Sequence, residues 1–530
     1  MGPWGPSARS LFEELLKRLT EATGEHKAGS YLGPRISMPS NVAMLPAYWA
    51  PFLSAALGVT YFFYFFLGNV THEILQKFPK EPYVGAYYGT EPVLILQDPE
   101  MVKLVTTKDF YYFHGREISN YTHKEIITQN LFFDGGDKWK VARQNLTPLF
   151  SSSKMKNMFH LIEKCAIELE QLLDNDPKFL NKCDIRDLMA RYTMACICSC
   201  AFGVDINTFA KEHESNPFVK MGKVLFEAST IRGCINIGRA IWPKIFYMLG
   251  FRNFPPTSSD FFKKFLAEVF AGRQYKTAGR NDFVDLLLLL KEKEFLVGDC
   301  IANTKTNHNK KLQLPVTDDF LIAQCVIFFA AGYETSATTL SYTLFELAKR
   351  PDILKKVQAE IDEFLIRHHN KLEYECVTEL PYTEACVDEA LRLYPVLAVI
   401  TREVMDEYTF PTGLTVHKGV RVHIPAYHMH RNPDYFPEPE KFRPERFLPP
   451  EKSKIVSHSY IPFGDGARIC IGMRFAKMQV LAGLVALLKK HNVELAEGMP
   501  SVLEFNPRSI VTQSYSGIYL RITPRVDLKT

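Results

Sequence analysis

One cysteine stands in a setting suited to metal ligation. Cys470 closes the run Phe463-Gly464-Asp465-Gly466-Ala467-Arg468-Ile469-Cys470-Ile471-Gly472, and glycines at 464, 466 and 472 let the backbone take left-handed turns close to a bulky ligand. Arg468 brings a cation two residues from the thiol, which favours the thiolate, the form that binds metal. The apolar spacing of Met473 to Leu481 predicts a helix just downstream, whose positive end would favour an anionic ligand. A core cysteine in a glycine-rich turn is the plainer alternative.

Three other constellations have chemical potential. Trp139 and Arg143, in Asp137-Lys138-Trp139-Lys140-Val141-Ala142-Arg143, are four apart and share a helix face. An indole N–H and a guanidinium so placed can hold a carboxylate jointly, or they are a packed tryptophan beside a solvated arginine. Arg116, in Phe113-His114-Gly115-Arg116, is a further basic candidate. Thr317-Asp318-Asp319 opens a long helical run to Arg350-Pro351, with a capping hydroxyl and acids in its first turn. Inside it lies Ala331-Gly332-Tyr333-Glu334-Thr335-Ser336. Glycine costs a helix about 1 kcal/mol relative to alanine, and the Thr335 hydroxyl can bond the Ala331 carbonyl. A bulge admitting water beside an acid and a hydroxyl is expected; a glycine serving a helix crossing is the alternative. Glu389 and Arg392 place opposite charges at i and i+3, and Arg446 follows within Phe442-Arg443-Pro444-Glu445-Arg446-Phe447.

Phe463-x-x-Gly466-x-Arg468-x-Cys470-x-Gly472 resembles the haem-thiolate signature of the cytochromes P-450, and the other segments occur in that family's order from about residue 69 to the C-terminus. The resemblance implies a mainly α fold with small β-sheets, haem b as cofactor and Cys470 as the axial iron ligand, whose thiolate promotes O–O cleavage. It places Phe463 and Arg468 in the haem-binding loop and gives Trp139, Arg143, Arg402 and Arg116 to the propionates. Ala331 and Gly332 would leave room for O2 and substrate, and Thr335 with Glu334 would steer protons to dioxygen. Glu389, Arg392 and Arg446 would form a buried network under the cysteine loop. Val396 to Arg402 is expected as a strand past the haem, with Val399 and Ile400 facing substrate, and Ser514 to Gly517 as a turn near the pocket.

The implied activity is an NADPH-dependent monooxygenase inserting one atom of O2 into a lipophilic substrate, xenobiotic or endogenous. The pattern is most similar to the insect detoxifying group. Electrons would come from NADPH-cytochrome P-450 reductase, with cytochrome b5 as a helper. Lys138, Lys140, Arg474 and Lys477 are either a docking face or ordinary solvated cations. A haem-thiolate isomerase or dehydratase working without reductase, and a non-catalytic haem sensor, are the rival functions.

The elements that must position these residues begin after an unusual N-terminus. Residues 1–35 are a mixed-charge leader with a short amphipathic stretch from Leu11 to Leu19 and no assignable function. From Ile36 to Thr71 there is no Asp, Glu, Lys or Arg, and about 20 apolar residues suffice to cross a bilayer. Residues 36–68 are therefore expected to anchor the chain, with Tyr48, Trp49, Tyr61 and Tyr64 suited to the interfaces; a buried core helix is the alternative. The resemblance puts the catalytic domain, residues 69–530, on the cytosolic face of the endoplasmic reticulum membrane.

Downstream, a helix is expected at His72 to Phe78, strands at Tyr83–Tyr88 and Pro92–Leu96, and a helix opening at Asp98-Pro99-Glu100. Residues 155–300 read as helices, and Phe218 to Phe254 as either a substrate roof or plain core. The 530 residues are 46% apolar and 23% charged, enough for a sizeable core. A net charge of +4 is too small to suggest nucleic acid. Eleven cysteines without paired spacing argue for reduced thiols. Cys196, Cys198 and Cys200 cannot converge on a metal from one helix face and are expected in packing.

Overall fold

The computed structural model describes residues 36–37, 67–88, 91–176, 181–210, 212–226, 230–280, 282–306 and 308–526. Leader residues 1–35 and the interior of the expected anchor, 38–66, lie outside them. The two ends of the expected anchor belong to folded elements: Ile36–Ser37 pairs with Thr415–Val416, and helix α1 (Leu67–Gln76) starts one turn before His72.

The first sheet grows from strands β1 (Tyr83–Tyr88) and β2 (Glu91–Leu96), antiparallel with Gly85 opposite Leu94. Asp98 then accepts a hydrogen bond from the Glu100 N–H (2.8 Å), and Pro99 opens a short helix at the position where its missing N–H costs nothing. A run of helices follows: α2 (Gly136–Leu146), α3 (Ser152–Asn175), α4 (Ile185–Ile197) and α5 (Thr230–Ile241), with further helices at Pro217–Phe226, Pro256–Gly272 and Phe283–Lys291.

Helix α6 (Asp318–Ala348) is the 31-residue axis of the molecule. Thr317 caps it by accepting from the Phe320 N–H at 3.1 Å. Among the described residues it is the one helix long and apolar enough to cross a membrane, but 67% of its apolar window is buried inside the protein, so it is core. The expected bulge is absent, and α6 runs unbroken. The Thr335 hydroxyl does donate to the Ala331 carbonyl (2.5 Å), and because a carbonyl has two lone pairs the helical ladder survives. Gly332 serves the crossing: a Cβ there would stand 2.6 Å from Ile197 Cδ1 on α4.

Helix α7 (Pro381–Leu393) leads to β3 (Ile400–Glu403) and β4 (Arg421–Ile424), which complete the first sheet in the order β1-β2-β4-β3. β4 runs parallel to β2 and antiparallel to β3, and this register sets Arg402 opposite Val422. The strand expected from Val396 begins only at Ile400. Residues 395–398 pair elsewhere, with Thr512 donating to the Pro395 and Val396 carbonyls and Tyr427 to that of Ala398. Helix α8 (Met473–Leu488) and strands β5 (His491–Leu495) and β6 (Tyr519–Pro524) close the chain. Helices dominate, and the described sheets have only two to four strands.

Helices α4, α6 and α8 meet around Tyr192. Its hydroxyl donates to the Gln479 carbonyl (3.0 Å), Gln479 donates to the Thr193 carbonyl (3.0 Å), and Thr193 to that of Tyr333 (2.9 Å). A Cβ at Gly483 would sit 2.7 Å from the Tyr192 ring, which has no free end to swing aside. Overpacking of this kind costs about 1–3 kcal/mol, and alanine's better helix propensity returns only about 1 kcal/mol. Gly483→Ala is therefore expected to lower the melting temperature, read by thermal unfolding.

Candidate functional site

A cavity of about 590 Å³ lies between α6 and the loop 463–472, within the usual range for small-molecule sites. Cys470 stands on its wall. Among the described residues nine free cysteines are buried and Cys470 alone is accessible, because its sulfur opens into this cavity. Enclosure by the loop pushes the thiol's pKa up, opposed by the Gly472 N–H and by Arg143. The cation that acts on the thiol is thus Arg143, where the sequence reading pointed to Arg468.

The loop is fixed by a few backbone constraints. The Cys470 N–H donates to the Phe463 carbonyl (2.8 Å) and the Gly464 N–H to that of Ile461 (3.0 Å). Gly464 and Gly466 have φ of 74° and 65°, as expected, but Gly472 sits at −89° with open space around it and caps α8 without needing left-handed backbone. At Gly466 a Cβ would fall 1.8 Å from the Thr106 carbonyl oxygen, so the loop seats directly on that backbone.

Seven arginines line the cavity among the described residues, and they include the four that the sequence singled out: Arg116, Arg143, Arg402 and Arg468. Arg468 donates to the carbonyls of His114 (3.0 Å) and Asp134 (2.5 Å) and stacks over the Trp139 ring at 4.4 Å. Arg143 donates to the Ile469 carbonyl (2.8 Å), bracing the residue before the cysteine. Arg402 reaches only the neighbouring Thr401 carbonyl (2.9 Å), leaving two guanidinium nitrogens without a protein partner, and Arg116 Nε has none either. None of the four has an ion-pair partner within 4.0 Å among the described residues. Burial, then mutual repulsion, depresses Arg402 to about 9; burial alone takes Arg116 to about 10, a nearby Glu117 opposing it. Such a group of buried cations lacks a multiply charged anion. The two propionates of a haem supply one, and a thiol facing the same space supplies the iron ligand, so the residues present fit haem b.

The oxygen-side residues divide. Ala331, Gly332 and Thr335 line the cavity, with Phe463, Val399 and Ile400 also on its walls. Glu334 is fully buried and is not among the lining residues; its carboxylate is held by Arg186 and by Gln513 (2.9 Å). A turn forms at Tyr515–Ser516, as expected, and the segment just before it, Pro507 to Val511, supplies the cavity wall. Cys196, Cys198 and Cys200 are buried in packing, and no group of three or more metal-binding side chains occurs among the described residues.

Beneath the loop, Glu389 accepts two bonds from Arg392 (2.7 and 2.8 Å), one from the Arg443 N–H (2.8 Å) and one from Arg446 (3.4 Å). Arg392 also donates to the His430 carbonyl (2.9 Å), and the His430 ring accepts from the Ile461 N–H (2.9 Å), which carries the network to the turn that starts the cysteine loop. Sequence reasoning missed His430, and also His114, whose ring accepts from the first N–H of α2 (3.1 Å) while its carbonyl holds Arg468. Only adjacency to Arg116 could have flagged His114. Removing one partner from such a buried network costs about 3–5 kcal/mol. Glu389→Gln is expected to yield protein with little bound haem, measured as the haem-to-protein ratio after purification.

A family model described as Cytochrome P450 matches residues 54–521. Among curated proteins the chain is 34% identical over 463 residues to cytochrome P450 6B2 of Helicoverpa armigera, covering 87% of this chain and 89% of that one. It is 33% identical to cytochrome P450 6a8 of Drosophila melanogaster (85% and 88% covered) and 37% identical to cytochrome P450 6B5 of Papilio glaucus (80% and 86% covered).

Proposed function

The chain belongs to the cytochrome P450 family, monooxygenases that hold haem b through a cysteine thiolate, and on that premise we propose that it oxidises lipophilic, xenobiotic-like compounds with electrons from NADPH-cytochrome P450 reductase. The observation that carries the reading is the accessible Cys470 thiol facing an apolar-walled cavity whose lining includes Arg116, Arg143, Arg402 and Arg468, without ion-pair partners among the described residues. Haem b, when bound, supplies the oxidising chemistry. Cys470 would ligate it, Arg116, Arg402 and Arg468 would neutralise its propionates beside Trp139, and Arg143 holds the loop against α2. The walls, including Phe133, Phe226, Phe254, Phe328 and Ile510, exclude water and favour apolar substrates over polar ones. Thr335 keeps a hydroxyl at the cavity, while Glu334, the acid expected to act with it, is held off the cavity by Arg186 and Gln513. A hydroxyl at this place, able to relay a proton, favours oxygen chemistry over the reductase-independent isomerase.

Several surfaces support the remaining assignments. Ile231, Ile245, Met248, Leu249 and Phe251 are exposed within and just after α5, the helix that also supplies Asn236, Arg239 and Ala240 to the cavity wall. They would rest in a bilayer beside an anchor drawn from the interior of the expected segment, residues 38–66, with residues 69–530 on the cytosolic side of the endoplasmic reticulum. A reductase, or cytochrome b5, would meet Lys140 and Arg474; Lys138 and Lys477 are already engaged by Asp134 (3.1 Å) and Glu384.

Reconstitution with reductase and NADPH is expected to convert those lipophilic compounds that produce a spin-state shift on binding into products carrying one added oxygen atom. Cys470→Ala is expected to lose the thiolate-type carbon-monoxide spectrum; its retention would remove Cys470 as the ligand.

A further inference from the structure

Three of the arginines that line the cavity, Arg239, Arg421 and Arg508, stand outside the group that fits the haem propionates. Two of them meet. Arg421 on β4 is paired with Glu403 of β3 and His423 with Thr401, whereas Arg402 is opposite Val422. Successive side chains point to opposite faces of a sheet, so Arg421 and His423 lie on the face away from Arg402. Arg421 donates to the Ala240 carbonyl (2.6 Å) and holds the end of α5 there; Arg239, in the last turn of α5, comes to 4.0 Å from Glu117. The other oxygen of Glu117 is 3.6 Å from His423 Nε2. All of these side chains line the cavity, as does Asn236, one turn before Arg239 on the same side of α5.

The charges at this end of the cavity do not cancel. Burial works against ionisation of Glu117, but His423 beside it, then Arg421 and Arg239, outweigh burial and hold the carboxyl well below the usual range. It is a full anion. Burial pushes Glu403 up to about 7, which leaves it only part of a charge near neutrality. Glu125, another acid near Arg239, is also raised by burial and accepts from the N–H groups of Asn253 (2.6 Å) and Phe254 (3.1 Å). Among the described residues Glu117 is the one carboxylate within 4.0 Å of Arg239, and none comes that close to Arg421. The Arg239–Glu117 contact is too long for a hydrogen bond, and Arg239 Nε is buried without a partner among the described residues. With side chains 18% and 21% exposed, Arg239 and Glu117 form a rim that a ligand can reach.

We propose that this pole receives the carboxylate of an amphipathic substrate, a long aliphatic acid whose head is held by Arg239 and Asn236 in the field of Arg421 while its tail lies along Phe133, Phe226 and Ile400. The inference rests on the monooxygenase reading and deepens it. The substrate class is a lipophilic monoanion, and the tether at the head, more than the reactivity of the tail, decides which carbon is presented for oxidation. Guanidinium and carboxylate match in charge and geometry. A site built for a charged head also rejects the analogue that lacks it, because its own donors are then left unpaired.

Spectral titration of the haem-loaded protein with dodecanoic acid and with its methyl ester separates head from tail. The acid is expected to bind about tenfold more tightly; equal affinities overturn the proposal. Arg239→Gln should bring the two within about twofold of each other, Arg239→Lys should keep part of the preference, and Glu117→Gln, which removes the competing carboxylate, should tighten binding of the acid alone. A preference that survives Arg239→Gln, or that is lost in Arg508→Leu instead, refutes the assignment, and so does equal weakening of acid and ester, the mark of a merely structural Arg239. If Arg239→Gln does not fold, Glu117→Gln decides: tighter acid binding supports the pole and unchanged binding overturns it. With reductase and NADPH, the oxidised carbon, counted from the carboxyl end, is expected to stay the same from dodecanoic to hexadecanoic acid. A position fixed from the methyl end overturns the tether. Absence of any product, with the acid preference intact in the titrations, would strike at the monooxygenase reading and leave the pole standing.

Discussion

Uncompensated positive charge is the constraint that organises this molecule. Arg116, Arg143, Arg402 and Arg468 line one cavity with no ion-pair partner within 4.0 Å among the described residues, and burial holds Arg116, Arg402 and Arg468 well below the usual arginine range. Transferring such groups out of water without a counter-charge is costly, so the folded apoprotein holds an electrostatic debt that a dianionic ligand relieves. Ligand binding and folding are then linked, as any group that binds only the native state adds to its stability.

That arrangement also explains why the arginines reach so far for backbone oxygens. Arg468 bridges the carbonyls of His114 and Asp134 while lying on Trp139, and Arg143 grips Ile469. Segments more than 300 residues apart in sequence are thereby fastened around the thiol. The Glu389 network does the opposite kind of work below: its two guanidiniums share one carboxylate, and it supports the turn at Ile461 through His430. One charge cluster waits for a ligand, and the other is complete without it.

Much of this was legible in residue types and spacing. The loop at Cys470, the Trp139–Arg143 pair, the Thr317 cap and the strands at Tyr83 and Pro92 all rest on local rules, and local rules survive folding. What escaped was set by partners distant in sequence. Gly332 lines the cavity as read but is also the point where Ile197 comes closest, and Gly472 reads as a left-handed turn until its φ is known. Glu334 sits beside Thr335 in sequence, yet one residue along a helix is a turn of about 100°, which places its carboxylate with Arg186 and Gln513 rather than in the cavity. The strand expected from Val396 was shortened by Thr512, a residue over a hundred positions away.

The bonds from Thr512 to Pro395 and Val396 join two cavity walls, the segment 396–400 and the segment 507–511, at their roots. A replacement that shifts either wall drags the other with it. The shape of the cavity is therefore set by a correlated pair of surfaces: exchanges made on both walls together can reshape it, whereas an exchange on one wall strains the seam it shares with the other.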